Sequence, residues 1–313
     1  MGVIKINFVD FWEHFDIYDN FFYRLLSKQF EVEITDMPDF LIYSCYGQAH
    51  LRYNCYRIFY CGENLRINWN ACDFAFGFDY IYEARYYRLP NWILYDNPKL
   101  LVKQSIDIAA VLREKVGFCD IVVSNPYAKK RIDFFHRLSK YKKVDSGGRL
   151  LNNIGGAVHN KRDFIRNYKF TIAFENSSYP GYTTEKIFEP MLENSIPIYW
   201  GNPLVHLDFN PASFINFHAC KNEDEVIERI VELDRNDDLY LQLLEAPWYH
   251  QNQMPSYLDE QNILLQFEKI FLIAWDKVPV AQTFRRYINR IRNTMMHSEH
   301  YLNRYLRYRK NFR

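Results

Sequence analysis

Residues 168–203 read YKFTIAFENSSYPGYTTEKIFEPMLENSIPIYWGNP. Two apolar runs in this stretch, Lys169–Glu175 and Ile196–Trp200, have the length and composition of buried strands, and Thr184–Asn194 between them has the periodicity of an amphipathic helix. A strand, a helix and a second strand in this order are typical of a parallel β–α–β unit. The stretch therefore predicts an α/β fold.

The same alternation continues on both sides of this stretch. Five earlier runs are strand candidates: Val3–Val9, Glu31–Thr35, Phe40–Ser44, Arg57–Cys61 and Phe74–Phe78. An amphipathic helix is predicted over Tyr18–Gln29, and the pattern restarts near Gly117 with Phe118–Ser124. The 313 residues are enough for about two domains. We therefore expect domains at 1–116 and 117–280, followed by a tail at 281–313.

Composition excludes several classes of protein. Hydrophobic residues make up 48% of the chain and charged residues 25%, which is ordinary globular composition and not that of a disordered, collagen-like or coiled-coil chain. No apolar run approaches the ~18 residues of a transmembrane helix. Because Lys5 and Asp10 interrupt the start of the chain, we expect no signal peptide and a cytoplasmic location. The six cysteines, without a C-x-x-C pair, are expected to be reduced and mostly buried.

Glycines are concentrated in one part of the chain. Six of the eleven lie in 147–201, where strands or helices are predicted to end: Gly147, Gly148, Gly155, Gly156, Gly181 and Gly201. Glycine lets the backbone approach a ligand closely, so this part of the chain is a candidate phosphate-contacting rim, although α/β loops use glycine in any case. The stretch GGRLLNNIGG matches neither the dinucleotide-binding nor the P-loop pattern, which disfavours a dehydrogenase or a P-loop NTPase.

Lys186 stands in an unusual place. It lies in the first turn of the predicted helix, after the N-cap candidates Thr183 and Thr184, where the helix dipole disfavours a cation. A diphosphate in front of the helix would satisfy both this lysine and the free backbone N–H groups. The alternative is a solvated lysine that pairs with Glu185 or Glu189. The residue alone leaves both interpretations open.

Taken whole, the stretch resembles the donor-binding signature of the bacterial α1,3-fucosyltransferase family, which reads approximately F-x-x-x-F-E-N-S, then Y-x-T-E-K, then I-P-I-Y-W-G. The matching positions are Phe170, Phe174-Glu175-Asn176-Ser177, Tyr182, Thr184-Glu185-Lys186 and Ile196-Pro197-Ile198-Tyr199-Trp200-Gly201. Residues 58–64 and 74–79 are similar to the family's acceptor segment, and 144–149 to its loop bearing an arginine. The resemblance covers about residues 55–220.

This resemblance implies a GT-B fold, in which two Rossmann-like domains face a cleft, with the acceptor mainly on the first and GDP-fucose on the second. In such sheets, ligands bind beyond the carboxyl ends of the strands. It implies Glu63 as general base, with Lys186 and Arg149 stabilising the leaving diphosphate. The donor-binding residues that it implies are Glu175, Asn176, Tyr182, Glu185, Lys186 and Arg149. Taken without the family, Glu63 and Asn176 read as loop or capping residues and Tyr182 as a partly buried hinge.

The implied reaction is inverting transfer of L-fucose from GDP-β-L-fucose to O3 of N-acetylglucosamine in a Gal-β1,4-GlcNAc unit. The product would be a Lewis x type glycan, for example on a lipopolysaccharide O-antigen or a glycoprotein. Two alternatives stay open: a GT-B transferase using a related nucleotide sugar or another acceptor hydroxyl, and a non-catalytic glycan-binding protein. Acceptor choice would depend on loops near 17–29 and 77–97, which the sequence does not resolve.

No metal cofactor is expected. The chain contains no D-x-D and no H-E-x-x-H, and Asp237-Asp238 is interpreted as an acidic loop that breaks a helix. His297 and His300 form an i, i+3 pair without an evident third ligand. The resemblance implies GDP-fucose as the donor substrate, and we expect cationic side chains in place of a divalent ion at its diphosphate.

The C-terminal tail is basic. Residues 281–313 hold nine Lys/Arg and one acidic residue, so the tail carries +8 and the rest of the chain −7. Its apolar residues favour an amphipathic helix in two pieces that lies on an anionic membrane surface at the cytoplasmic face. Packing on the chain's own acidic body is at least as good an interpretation. No nucleic acid partner is expected, because no nucleic-acid module accompanies the tail.

Overall fold

The computed structural model describes residues 2–105, 107–274 and 276–285, and they divide into two compact units. The described residues of the first unit fall within Met1–Gly77, Ile81–Tyr87 and Glu260–Arg313, and the second comprises Phe78–Tyr80 and Arg88–Asp259. These boundaries differ from the expected 1–116 and 117–280, because residues 88–116 associate with the second unit and 260–274 return to the first. The acceptor- and donor-binding roles of the units remain predictions.

Strands and helices alternate through the described residues. The strands are β1 (Ile4–Val9), β2 (Val32–Ile34), β3 (Phe40–Tyr43), β4 (Tyr56–Tyr60), β5 (Phe74–Gly77), β6 (Tyr86–Arg88), β7 (Gly117–Ile121), β8 (Val144–Ser146), β9 (Tyr168–Phe174), β10 (Ile196–Trp200) and β11 (Ile215–Asn216). The α-helices are α1 (Phe21–Leu26), α2 (Ile108–Glu114), α3 (Lys129–Leu138), α4 (Lys161–Ile165), α5 (Glu185–Leu192), α6 (Glu223–Arg235), α7 (Asp237–Glu245) and α8 (Glu260–Ala274). Short 3-10 turns join several of them.

The first unit is built on a sheet with the strand order β2-β1-β3-β4-β5-β6. The pairs from β2 to β5 are parallel, with Ile42 opposite Ile58 in the pair of β3 and β4. Two helices cover its apolar side chains: the ring of Phe267 on α8 stacks on Phe76 at 4.6 Å and meets Phe22 of α1 at 6.2 Å. The parallel order places the loops after β1, β3 and β4 at one edge of this sheet.

The second unit is built on a five-stranded parallel sheet with the order β11-β10-β9-β7-β8. The stretch at 168–203 forms β9, α5 and β10, and β9 lies at the centre of the sheet. The predicted strand Ile196–Trp200 is confirmed, and β9 is shifted by one residue from Lys169–Glu175. Phe188 of α5 is fully buried and stacks on Trp92 at 5.1 Å, which fixes the helix against its own unit.

Helix starts follow their capping residues. Asn222 Oδ1 accepts a hydrogen bond from Glu225 N at 3.0 Å, which confirms the predicted cap of α6. The prediction of a helix-breaking loop at Asp237-Asp238 is wrong: both residues form the first turn of α7, where the dipole favours acidic side chains. The helix expected at Tyr18–Gln29 begins only at Phe21, because Asn20 caps it.

The described residues contain no helix that is long and apolar enough to cross a membrane. Four of the six cysteines are buried and none of the six forms a disulfide. At the start of the expected tail, Val280 and Ala281 are buried within the first unit. Residues 286–313, which hold most of the predicted tail helices and the pair His297/His300, lie outside the described residues.

Candidate active site

The loops at the carboxyl edge of the second sheet carry most of the candidate residues. Glu175 and Asn176 follow directly after β9, Gly201 follows β10, and Arg149 lies three residues after β8. Since all strands of this sheet run parallel, their carboxyl ends meet at the same edge, with β7 between β8 and β9. This placement agrees with the edge where ligands of such sheets bind.

Thr184 connects the end of β9 to the start of α5. Its Oγ1 accepts a hydrogen bond from the backbone N–H of Lys186 at 3.5 Å. Of the two N-cap candidates, Thr183 and Thr184, the helix therefore uses Thr184. The same hydroxyl donates to Glu175 Oε2 at 2.8 Å, and the Thr184 backbone N–H donates to Glu175 Oε1 at 2.7 Å. The carboxylate of Glu175 is fully buried. It therefore acts as the anchor that holds the helix start against the sheet.

Lys186 is held within a cluster of carboxylates. Its Nζ lies 3.3 Å from Glu175 Oε2 and 3.2 Å from Glu185 Oε1, and it donates to Thr184 Oγ1 at 3.0 Å. Only 19% of its side chain is exposed. Glu189 pairs instead with Lys161. The interpretation of Lys186 as a solvated surface lysine is therefore wrong, although its pairing with Glu185 is present.

Electrostatics favour the charged forms of Lys186 and Glu185. Burial opposes the charged form of Lys186, but Glu175 and Glu185 outweigh it and raise the pKa of this lysine above its usual value. Burial also disfavours ionised Glu185, yet Lys186 and Lys161 lower the pKa of that carboxyl overall. For Glu175, burial dominates and raises the pKa. Lys186 is thus favoured in its charged form, and its charge opposes the effect of burial on the Glu175 carboxyl.

Arg131 is a residue that the sequence reasoning missed. It is 2% exposed, and its Nε and Nη2 donate to the carbonyl oxygen of Phe174 at 3.0 and 2.5 Å. Nη2 also donates to Asn176 Oδ1 at 2.9 Å. A usable signal existed, because Arg131 shares the apolar face of α3 with Phe134 and Phe135. A cation on the buried face of a helix indicates an acceptor group inside the protein.

Asn176 and Tyr182 differ in accessibility. Asn176 is exposed, and the bond from Arg131 orients its side chain at the end of β9. Tyr182 is 2% exposed, and its ring packs against Phe78 at 5.2 Å. Its burial agrees with a side chain that shapes the loop before α5. The assignment of both residues to donor binding stays a prediction.

Asn202 holds that loop in place and was also missed. It is fully buried, its Oδ1 accepts from Gly181 N at 2.7 Å, and its Nδ2 donates to Thr183 Oγ1 at 3.0 Å. The preceding Gly201 leaves room for the buried carboxylate, because a Cβ there would lie 2.3 Å from Glu175 Cγ. The sequence signal was the dipeptide Gly201-Asn202 directly after a buried strand.

The loop after β8 presents Arg149. Its guanidinium is exposed and has no hydrogen bond or ion pair with any residue in the described ranges. Asn152 shapes the loop: its Nδ2 donates to the carbonyl oxygens of Gly148 and Gly156 at 2.9 and 2.8 Å, and its Oδ1 accepts from Gly156 N at 2.9 Å. Gly148 passes so close to Val123 that a Cβ would lie 2.0 Å from its carbonyl oxygen.

Glu63 belongs to the first unit. It follows the carboxyl end of β4, is partly exposed, and its Oε1 accepts from the hydroxyl of Tyr46 at 3.0 Å. The Glu63 carbonyl oxygen accepts from the Cys61 thiol at 2.9 Å, which ties the loop back to the strand end. The carboxylate is therefore both oriented and accessible, as a general base requires.

The described residues contain no group of three or more His, Cys, Asp or Glu side chains that could hold a metal ion. Cationic groups at the carboxyl edge of the second sheet include Lys186, Arg149 and the buried Arg131. Chemically, this edge can bind an anionic group and stabilise developing negative charge.

Comparison with protein-family models gives two matches. Residues 6–95 match the N-terminal domain of alpha-(1,3)-fucosyltransferase FucT, and residues 112–272 match the C-terminal part of glycosyltransferase family 10 (fucosyltransferase). The second match alone covers just over half of the chain. The two matches follow one another along the chain in the order of an N-terminal and a C-terminal fucosyltransferase region.

Individual relatives agree with these matches. The alpha-(1,3)-fucosyltransferase FucT of Helicobacter pylori is 34% identical over 283 residues, which are 77% of this chain and 59% of the relative. A putative fucosyltransferase, R654, of Acanthamoeba polyphaga mimivirus is 32% identical over 181 residues, which are 54% of this chain and 30% of the relative. The chain thus spans less than two thirds of the length of these relatives.

Solved structures show the same fold. A crystal structure of an alpha1,3-fucosyltransferase matches with a TM-score of 0.78 and 29% identity, covering 90% of this chain and 92% of its own. A crystal structure of an alpha1,3-fucosyltransferase with GDP-fucose matches with a TM-score of 0.74 and 28% identity, covering 91% of this chain and 92% of its own. This likeness confirms the predicted α/β fold of the GT-B type with two parallel sheets.

Proposed function

Since this chain belongs to glycosyltransferase family 10, the fucosyltransferases, we propose that it transfers L-fucose from GDP-β-L-fucose to O3 of N-acetylglucosamine within a Gal-β1,4-GlcNAc unit. The product would be a Lewis x type glycan. The observation that carries the proposal is the placement of Lys186. This half-buried cation stands at a helix start that disfavours cations, and Glu175 and Glu185 hold it there.

Lys186 and Arg149 stabilise the departing GDP. A lysine in the first turn of α5 and the positive end of that helix dipole both favour a diphosphate in front of the helix. Arg149 supports the same role, because it is exposed at the same sheet edge and is not engaged by a carboxylate of the described residues. Charge that develops on the β-phosphate as the C1–O bond breaks is thereby neutralised.

Glu63 acts as the general base. It takes the proton from O3 of the acceptor as that oxygen attacks C1 of fucose, and the electron pair of the C1–O bond leaves with GDP. Attack opposite the leaving group inverts the configuration from β to α. The hydrogen bond from Tyr46 supports this role, because it orients the Glu63 carboxylate without burying it.

The remaining candidates bind the donor. Glu185 accepts hydrogen bonds from ribose or fucose hydroxyls, and Asn176 contacts the sugar or the diphosphate from a position set by Arg131. Glu175 acts through Lys186, and the buried Tyr182 acts through the shape of its loop. We further propose that no metal is needed, because the lysine and arginine supply the positive charge.

A transfer assay with purified protein, GDP-fucose and a Gal-β1,4-GlcNAc acceptor in EDTA tests the proposal. Released GDP and fucosylated product are quantified, and NMR of the product identifies the modified hydroxyl. Product at O3 in EDTA is the expected result. GDP release without product would contradict the proposed acceptor and would still support GDP-fucose as the donor. Activity that is lost in EDTA and restored by Mn²⁺ would contradict metal independence, and absence of both signals would favour another donor or a non-catalytic glycan-binding protein.

A further inference from the structure

An exposed aromatic surface adjoins Glu63 in the first unit. Tyr46, whose hydroxyl donates to Glu63 Oε1 at 3.0 Å, is 51% exposed. Trp12 is 42% exposed, and its ring stands at 90° to that of Tyr46 with 6.5 Å between the centroids. Large aromatic side chains are buried on average, so two exposed rings beside an oriented carboxylate indicate a ligand surface.

The rings rest on a support that reaches into the core. Trp12 packs its ring edge-on against Phe11 at 5.6 Å and Phe15 at 5.2 Å, and these two phenylalanines stack on each other at 4.0 Å. Phe11 in turn lies parallel to the buried ring of Tyr60 on β4 at 6.4 Å. The Trp12 ring, in contact with Phe11, Phe15 and Tyr46, keeps its orientation without a ligand, which lowers the entropic cost of binding.

Asp10 joins the loops that carry Trp12 and Tyr46. Its carboxylate accepts from Ala49 N at 2.8 Å, from His50 N at 3.0 Å and from His50 Nδ1 at 2.7 Å. Its backbone carbonyl accepts from Tyr46 N at 2.9 Å. These loops follow β1 and β3, and Glu63 follows β4, so all three lie at one edge of the first sheet.

We propose that Trp12 and Tyr46 form the platform on which a sugar ring of the acceptor stacks, so that its glycan presents the attacking hydroxyl to Glu63. The apolar C–H face of a pyranose covers aromatic carbon, while its hydroxyls remain free for hydrogen bonds. Residues 10–19 contain four acidic residues and no Lys or Arg, which disfavours an anionic glycan beside Trp12. Tyr46 is in addition a positioning residue for the Glu63 carboxylate. This inference rests on the proposed function.

The test compares acceptor and donor kinetics. In Trp12→Ala we expect the acceptor KM to rise at least tenfold, while the KM for GDP-fucose and its acceptor-independent hydrolysis stay within twofold of wild type. Trp12→Phe keeps an aromatic face and should hold the acceptor KM within about threefold. Tyr46→Phe keeps the ring and removes the hydroxyl, so kcat should fall about tenfold with little change in acceptor KM.

Phe284→Ala is the matched control. Phe284 is 76% exposed in the same unit and follows Val280, whose N–H donates to Asp73 just before β5, at the opposite edge of the sheet. Its kinetics should equal those of wild type. An acceptor KM that changes less than twofold in Trp12→Ala overturns the platform, and an unchanged kcat in Tyr46→Phe overturns the positioning role.

Failure of the proposed function is distinguishable from failure of this inference. A wild-type protein that neither transfers fucose nor releases GDP contradicts the fucosyltransferase proposal before any variant is compared. Acceptor binding is then measured directly by saturation-transfer NMR with the Gal-β1,4-GlcNAc disaccharide. Signal that is lost in Trp12→Ala and kept in Trp12→Phe supports the platform, and equal signal in wild type and both variants overturns it.

Discussion

Lys186 occupies a position that is unfavourable for a cation unless negative charge surrounds it. Its two carboxylate partners, Glu175 and Glu185, compensate for the unfavourable helix dipole, and the buried Arg131 adds a second cation nearby. Because two carboxyl groups already share the charge of Lys186, a further cation would strengthen the binding of an incoming diphosphate. Arg149 is the exposed cation that the loop after β8 supplies.

Replacement of Lys186 should affect binding and folding together. In Lys186→Ala the buried Glu175 loses its cation, and breaking a buried pair costs on the order of 3–5 kcal/mol. We expect a lower thermal midpoint and a GDP dissociation constant raised at least tenfold, measured by calorimetry. Lys186→Arg, which keeps the charge, is the control and should lose less thermal stability and less GDP affinity. Wild-type GDP affinity in a folded Lys186→Ala protein would contradict the leaving-group role.

Glu63 should matter for turnover alone. Glu63→Gln keeps a side-chain oxygen that can accept from the Tyr46 hydroxyl but cannot take up a proton. We expect kcat to fall by two orders of magnitude or more, with GDP affinity within twofold of wild type. Glu83→Gln, at an exposed carboxylate of the same unit, is the control. Normal turnover in Glu63→Gln would remove Glu63 as the base.

At the scale of single elements, the loop after β8 is organised by one side chain. Asn152 bonds to the backbone of Gly148 and Gly156, and so it determines where Arg149 is presented. Each such hydrogen bond contributes about 1 kcal/mol net. The loop therefore has a defined conformation before any ligand binds.

The effects of Asn152 and Arg149 on donor binding should not add. We expect Asn152→Ala to raise the KM for GDP-fucose as Arg149→Ala does, and the double variant to be no worse than Arg149→Ala, because the first residue acts through the second. Asp133→Asn, on the exposed side of α3, is the neutral control. Full additivity in the double-mutant cycle would show that Asn152 acts independently.

Strand β7 contains a buried carboxyl whose protonation affects stability. Asp120 is fully buried, Thr171 donates to its Oδ1 at 2.5 Å, and its Oδ2 has no hydrogen-bond partner in the described part of the chain. Burial raises the pKa of Asp120 to about 7, and the bond from Thr171 opposes this only in part. The folded protein therefore keeps a proton that the unfolded chain releases near its usual pKa of 3.8.

The consequence is a pH-dependent cost of folding. The free energy of unfolding should fall as the pH rises from about 4 to about 7, by an amount on the order of 4 kcal/mol at most. Asp120→Asn removes this pH-dependent cost of folding. The variant should therefore gain thermal stability relative to wild type at pH 8, and the gain should be much smaller at pH 5. Melting curves at both pH values measure it, with Asp133→Asn as control. The same difference at both pH values would contradict the expectation.

For the molecule as a whole, charge is separated between body and tail. The body carries −7 and residues 281–313 carry +8. Because Val280 and Ala281 are buried in the first unit, a truncation that spares the fold has to lie beyond them. Removal of residues 286–313 meets this condition.

This truncation separates the two interpretations of the tail. Each basic residue near an anionic membrane contributes about 1 kcal/mol, so a membrane-binding tail would make the full chain float with anionic vesicles while the chain ending at Arg285 stays in the bottom fraction. Both should transfer fucose equally to a water-soluble acceptor. Neutral vesicles and high salt are the controls. Equal flotation of the two chains would contradict membrane binding and favour a tail packed on the acidic body.

Much of the second unit could be predicted from local sequence. Local sequence is enough to predict three features: strand β10, the cap at Thr184 and the cap of α6 at Asn222. Each depends on residues close along the chain, through the spacing of apolar residues or the chemistry of the capping side chain. The acids at 237–238 were misread because a helix that follows another after one residue, Asn236, leaves no loop signal. The turn predicted at residues 18–20 of α1 is not helical, because Asn20 is the N-cap and the helix begins at Phe21.

The sequence by itself determined the α/β order, the family signature, the candidate residues and the separation of charge, because each of these depends on residue type and on neighbours along the chain. Only the tertiary structure decided that Arg131 holds Asn176, that Asn202 holds the loop before α5, and that Tyr46 orients Glu63. These partners are 17 to 45 residues apart in sequence. Strand pairing and burial bring them together, and a buried polar group must find such a partner once water is excluded.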